Sequence, residues 1–185
     1  NFNQLDDFTR ALINKNIASY PIHIKLNTGM NRLGFNENEL EDLMNYISSQ
    51  PEIRVSGIFS HLYNSDDKTN DDVTLLQIKK FRAYSTFIEN RLGYSTLKHI
   101  LNSAGIEHYI DASCDMVRLG LGIYGISEKY PLNNVATLET TVSHTRNILK
   151  NENIGYGTNP AQNDTKIAII PIGYADGFPR VLGNG

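Results

Sequence analysis

Apolar residues recur along this chain at two alternating periods, one close to helical spacing and one of two residues. In residues 3–15, Leu5, Phe8, Ala11 and Leu12 fall on one face and predict a short helix. PIHIKL at 21–26 alternates like a strand and runs into the turn residues Asn27, Thr28 and Gly29. From Glu37 to Ser49, Leu40, Leu43, Met44 and Ile47 mark the apolar side of a second helix, which Pro51 ends. IRVSGIFSHL at 53–62 predicts a strand, followed by a polar loop and a long helix from about Val73 to Leu92. Leu75, Ile78, Phe81 and Phe87 are its expected buried side. LKHIL at 97–101 reads as a strand leading into Asn102 and Ser103, and DMVRLGLGIYG at 115–125 as a fourth strand closed by a glycine turn. Strands separated by crossover helices predict parallel pairing.

The texture changes after Tyr130 and Pro131. Residues 136–149 and 166–175 alternate with no helix between them, which favours an antiparallel or mixed β region. A boundary within 127–135 follows, dividing the chain into an α/β portion, 1–130, and a β portion, 131–185. The first portion is too short for a complete eight-stranded barrel, which usually needs about 250 residues. Either its sheet is small or the chain is a piece of a larger fold.

Composition narrows the function classes. Seventeen Lys and Arg against 20 Asp and Glu leave a net charge of −3 in 185 residues, and the cations are scattered. That is not the basic stripe of a nucleic-acid binder. A single cysteine, Cys114, makes no internal disulfide and fits a reducing compartment. No apolar run approaches the roughly 20 residues that cross a bilayer, and no basic-then-apolar leader opens the chain. The expectation is a cytoplasmic protein without membrane or nucleic-acid partners. Asn1 in place of Met suggests that the natural start lies elsewhere.

Several polar residues sit where the parallel strands should end: Lys25, Arg32, His61, Asn102, Ser103, and Arg118 beside Gly120 and Gly122. In parallel α/β folds those strand ends converge on one rim. A pocket built there from two arginines, a lysine and a histidine would favour an anion, with Ser103 and glycine-exposed N–H groups able to cradle phosphate. Taken singly, each lysine or arginine reads more readily as a solvated surface group and the histidine as a satisfied polar residue; their convergence is what favours a site. Zinc-ligand spacing is absent, RLGLGIYG at 118–125 is not the dinucleotide-binding GxGxxG, and no loop ends in GK[ST]. Asp66, Asp67, Asp71 and Asp72 lack the calcium-loop pattern and read as a solvated acidic loop, so no metal is expected. In IPIGYADGFPR at 170–180, Tyr174 could act as a general acid or base if nearby cations lower its ordinary pKa of about 10. Its alternative is a packed ring with one structural hydrogen bond.

Jointly, KLNTGMNRLGF (25–35), GIFSHLYNSDD (57–67), HILNSAG (99–105), VRLGLGIYG (117–125) and IGYADGFPR (172–180) resemble alanine racemases. The resemblance runs through nearly the whole chain. It implies a partial (β/α)8 TIM-type barrel followed by the start of a C-terminal β domain, the cofactor pyridoxal 5'-phosphate, a homodimer, and an isomerase interconverting L- and D-alanine for peptidoglycan. By matching position, it implies that Tyr174 is the catalytic tyrosine, reaching the partner subunit's cofactor, and that His61 poises it. Arg118 would face the pyridine nitrogen. Ser103 and the N–H groups of Gly120 and Leu121 would hold phosphate. Arg32 would contact the phenolic oxygen, and Lys25 would be the often carbamylated lysine that steadies Arg32. The wording around FSHL and DMVRLGLGIYG is further similar to the racemase half of bifunctional proteins that carry a Mur-type ligase.

There are departures from the family pattern. Asn27 stands where the family usually has aspartate, the Schiff-base lysine has no counterpart, and the β-domain tail would lie beyond Gly185. The resemblance therefore implies an internal piece that does not racemise alanine by itself. Two alternatives stay open: racemisation of serine or another small amino acid, and a non-catalytic cofactor-binding or structural module of a larger ligase-containing protein.

Overall fold

A three-stranded parallel sheet organises the first part of the chain in the computed structural model, which describes residues 1–182. Its strands are β1 (Tyr20–Lys25), β2 (Ile53–Phe59) and β3 (Leu97–His99), in spatial order β1-β2-β3. Helices α1 (Phe2–Asn14), α2 (Leu40–Ser48) and α3 (Asp71–Leu92) precede or link them, and α4 (Ser103–His108) follows β3. In β1, Ile24 is buried in the core together with residues of the helices, while His23 and Lys25 alternate onto the opposite face. Between Ile22 and His23 the β1–β2 register slips by one residue: Ile22 pairs with Val55 but His23 pairs with Gly57. The extra residue, Ser56, caps the Ile22 carbonyl through its hydroxyl at 3.1 Å. Val55 and Ile58 both end up fully buried, and Gly57 and Phe59 are turned toward the face that carries His23 and Lys25.

Local chemistry sets the helix limits. Asn1 and Gln4 form a capping box at the start of α1. Asp71 and Asp72 occupy the first turn of α3, and Gly93 closes it in the left-handed region at φ 74°. The expected faces hold for α2, where Leu40, Leu43, Met44 and Ile47 are all buried. Elsewhere they shift. In α1 the buried residues are Leu5, Thr9 and Leu12, with Phe8 and Ala11 exposed. In α3 Leu75 is exposed, because the buried stripe runs through Thr74, Gln77, Ile78, Phe81, Tyr84, Ser85 and Ile88. Thr74 and Gln77 within that stripe bond to the loops after β1 and β2, and the apolar pattern alone does not reveal them.

The fourth strand expected over 115–125 does not form. Met116 makes an isolated parallel bridge to His99, and the Arg118 N–H reaches the Leu101 carbonyl at 2.9 Å. Beyond that, Leu121–Tyr124 is a single 3₁₀ turn. The physical cause is that the amides of Gly120 and Gly122 are taken up by the Ser103 hydroxyl instead of a neighbouring strand.

The chain divides into two units, Asn1–Val135 and a second beginning at Ala136. In the second, β4 (His144–Ile148) and β5 (Thr165–Ile169) form an antiparallel pair, His144 opposite Ile169 and Ile148 opposite Thr165. No helix among the described residues is long and apolar enough to cross a membrane.

Candidate functional site

Register places Lys25, Phe59 and His99 in one row across the carboxyl ends of β1, β2 and β3. The Phe59 and His99 rings stack with centroids 5.0 Å apart, and the Lys25 ammonium lies 5.9 Å from the Phe59 centroid. Arg118 enters over the same row, its guanidinium 5.5 Å from the Phe59 ring.

The Arg118 guanidinium is held by carbonyls and imidazoles. Nη2 donates to Ser60 O at 2.6 Å, and it also lies 3.3 Å from His61 Nδ1 and 3.4 Å from Ile100 O. Nη1 donates to His99 O at 3.2 Å and to His99 Nδ1. Among the described residues Nε–H has no protein acceptor, so one donor of the fork is unspent. An arginine only donates, so His99 Nδ1 is an acceptor and that ring carries its proton on Nε2; after Ser60 O, Nη2 has one hydrogen left for His61 Nδ1 or Ile100 O, and when His61 Nδ1 receives it that ring too is protonated on Nε2. Burial, and then the Arg118 charge, lowers the pKa of both: His61 falls below its ordinary value, with smaller contributions from Lys25 and Arg32, and His99 falls from 6.5 to about 4. Burial, followed by Arg32 and Arg118, also lowers the pKa of Lys25.

A second cluster adjoins the first. Ser103, at the start of α4, accepts from Gly120 N at 2.8 Å and Gly122 N at 3.3 Å through Oγ, which leaves its own hydroxyl proton to donate. Asn102 caps α4 by accepting from Gly105 N at 2.9 Å and ties in the preceding loop by accepting from Ser65 Oγ at 2.8 Å. His61, Ser103, Arg118, Gly120 and Leu121 all line one cavity of about 590 Å³.

A buried polar chain supports the loops that carry His61. Gln77 of α3, only 2% exposed, donates to Thr28 Oγ1 and to His61 O, each at 3.1 Å, and accepts from Tyr63 N at 3.1 Å. Ser60 Oγ donates to Leu26 O, so the Thr28 hydroxyl must donate to Ser60. Every polar atom of that Gln77 side chain is therefore satisfied, with fixed polarity. Asn27, in the β1 loop, accepts from Gly29 N and Asn31 N, and donates through Nδ2 to Asn31 Oδ1 at 2.9 Å and Asn36 Oδ1 at 2.8 Å. An aspartate could not make those donations.

Lys25, His61, Ser103, Arg118, Gly120 and Leu121 are thus gathered in one unit. Arg32 is exposed and adds to the positive field felt by Lys25 and His61. Tyr174 belongs to the second unit, in a 3₁₀ turn closed by Gly177 at φ 90°, and is 74% exposed. Sequence reasoning passed over His23, Phe59, Gln77 and His99. The alternation of β1 puts His23 on the face of Lys25, and that signal was available. His99 and Phe59 become visible only once register aligns three strands.

The whole chain can be set beside known proteins. The family model described as alanine racemase, N-terminal domain, matches residues 1–128, and the one described as alanine racemase, C-terminal domain, matches residues 135–185. The alanine racemase of Syntrophobacter fumaroxidans is 35% identical over 188 residues, covering 98% of this chain and 48% of that protein. Alanine racemase from D-cycloserine producing Streptomyces lavendulae superposes with a TM-score of 0.86 at 25% identity, over 97% of this chain and 50% of the other. The Bartonella henselae enzyme, solved with covalently bound pyridoxal phosphate, gives 0.71 at 28% identity, with the same coverage. The chain spans about half the length of the curated relatives it matches. With an arginine-centred rim at the ends of parallel strands and both domain models matched in order, this chain belongs to the alanine racemase family, carrying part of its barrel domain and the start of its C-terminal domain.

Proposed function

We propose that the complete polypeptide containing this chain is a pyridoxal 5'-phosphate-dependent alanine racemase, acting as a cytoplasmic homodimer that supplies D-alanine for peptidoglycan. The observation that carries this reading is the Arg118 guanidinium, fixed by Ser60, His99, Ile100 and His61 with one N–H unspent, beside the Ser103, Gly120 and Gly122 cluster. The donor set fits the cofactor. Arg118 would meet the ring nitrogen through Nε–H, while the Ser103 hydroxyl and the N–H of Leu121 would hold phosphate; Gly120, whose N–H is given to Ser103 Oγ, would orient that hydroxyl. Pyridoxal phosphate supplies the electron sink that makes removal of an amino acid's α-proton feasible. Arginine cedes no proton to the ring nitrogen, unlike a carboxylic acid, which keeps the sink moderate and disfavours side reactions.

The remaining roles are performed by this chain's side chains. Tyr174, delivered by a second copy, would exchange the α-proton on the L side at its phenolic oxygen. With its Nδ1 accepting from Arg118, His61 would carry its proton on Nε2 and act as a donor that can stabilise the phenolate. Arg32 would contact the phenolic oxygen of the cofactor and orient substrate. The lowered pKa of Lys25 favours the neutral amine, the form that reacts with carbon dioxide, in keeping with a carbamylated lysine that steadies Arg32. A fused Mur-type ligase is the narrower version of this reading, and the intact mass of the natural polypeptide decides it.

The test is the full-length protein with added pyridoxal phosphate. L-alanine should be converted to D-alanine faster than serine is racemised, and cofactor absorbance should titrate to one equivalent per subunit. A cofactor-loaded protein that racemises serine in preference would redirect the substrate. Absence of both binding and racemisation would leave only a structural module.

A further inference from the structure

His23 lies outside every role given above, and its placement is unusual. It stands on β1, in the same row as Gly57 on β2, and its imidazole crosses that row to reach His99 on β3: His23 Nδ1 is 3.0 Å from His99 Nε2. A side chain on the middle strand would block the crossing. A Cβ at Gly57 would lie 2.6–2.7 Å from three atoms of the His23 ring, closer than real Cβ atoms come. The register slip after Ile22 is what sets Gly57, and not Ser56, opposite His23.

The polarity of this contact follows from Arg118. His99 Nδ1 accepts from the guanidinium, so Nε2 bears the proton and His23 Nδ1 must accept it. His99 is only 5% exposed, so without His23 its Nε2–H would be a buried donor with no partner in this contact. We propose that His23, laid in the slot over Gly57, is a positioning residue that holds His99 in its Nε2–H tautomer and thereby keeps Arg118 aimed at the cofactor ring. The proposal rests on the racemase reading for its catalytic consequence, but the tautomer itself does not depend on that reading.

The experiment uses the full-length protein, loaded with pyridoxal phosphate, as wild type and as His23→Leu, His23→Asn and Gly57→Ala variants. Imidazole nitrogen NMR reads the His99 tautomer, and steady-state kinetics read kcat and KM for alanine. Asparagine keeps an acceptor near the position of Nδ1, leucine removes it, and Gly57→Ala displaces the His23 ring without removing any titratable group from the sequence. In His23→Leu and Gly57→Ala, the single His99 Nε2–H signal should give way to a mixture. Their kcat should fall roughly tenfold, the rate equivalent of one buried hydrogen bond left unmade, with KM little changed. His23→Asn should restore both the signal and most of the turnover. If His99 keeps its tautomer and kcat is unchanged in the leucine and alanine variants, the proposal is overturned. If asparagine rescues neither reading, His23 only packs, and the proposal also fails. Should the wild type bind cofactor without racemising any amino acid, the racemase reading fails instead, and the His99 signal still decides the tautomer lock.

Discussion

Replacing Gln77 with leucine tests whether the buried polar chain behind His61 is structural support or incidental. The wild-type side chain makes two donations, to Thr28 Oγ1 and His61 O, and accepts from Tyr63 N. Leucine removes all three. Each lost bond is worth about 1 kcal/mol net, and the buried Thr28 hydroxyl left without its donor adds about 1 kcal/mol, partly offset by the apolar burial that leucine gains. The expected cost is about 3 kcal/mol, read as a shift in the urea midpoint of the full-length protein at unchanged slope. Gln77→Glu is the sharper variant. One carboxylate oxygen would face Thr28 Oγ1 and His61 O, so only the protonated form can donate, and its folded pKa must rise above the usual value of about 4.3. The native state then holds a proton that the unfolded state releases, so stability falls as pH rises from about 4.3 through the raised folded value. Gln77→Glu should therefore come closest to the wild type near pH 4 and lose ground by pH 8. A leucine variant within about 1 kcal/mol of wild type, or a glutamate variant with a pH-independent deficit, would refute the reasoning.

Three further predictions concern the rim. His99, lowered from 6.5 to about 4, contributes stability that is fully present above pH 6.5 and is lost progressively as pH falls toward 4. Between pH 7 and pH 5 that amounts to about 2 kcal/mol, and urea unfolding should show it in the wild type but not in His99→Gln. Ser103→Ala should weaken pyridoxal phosphate binding by roughly tenfold, measured by absorbance titration, because one hydroxyl donor to the phosphate is gone. Tyr174→Phe should abolish most racemisation in the full-length enzyme while the cofactor spectrum stays in place. Near-wild-type turnover in that variant would remove Tyr174 from the mechanism.

Periodicity and turn residues were enough to mark α1, α2 and α3, the strand cores at 21–26 and 53–62, and the strand-like stretches that hold β4 and β5, because these depend on local spacing and backbone preference; the short α4 went unmarked. The motif stretches placed Lys25, His61, Ser103 and Arg118 on one rim, because the ends of parallel strands converge. What local pattern could not supply is anything set by register. The segment 115–125 carries strand-like residues, yet the Ser103 hydroxyl claims its glycine amides, a contact between distant segments. The buried stripe of α3 includes Gln77 because loops from two other strands need its amide, which no hydrophobic count registers. His99 has its tautomer assigned by Arg118, 19 residues away, and finds His23, 76 residues away, only because a slip in β1–β2 pairing leaves a glycine between them. Local chemistry thus chose the elements, whereas hydrogen-bond polarity within the site was decided by which strands lie side by side and by how far each is offset.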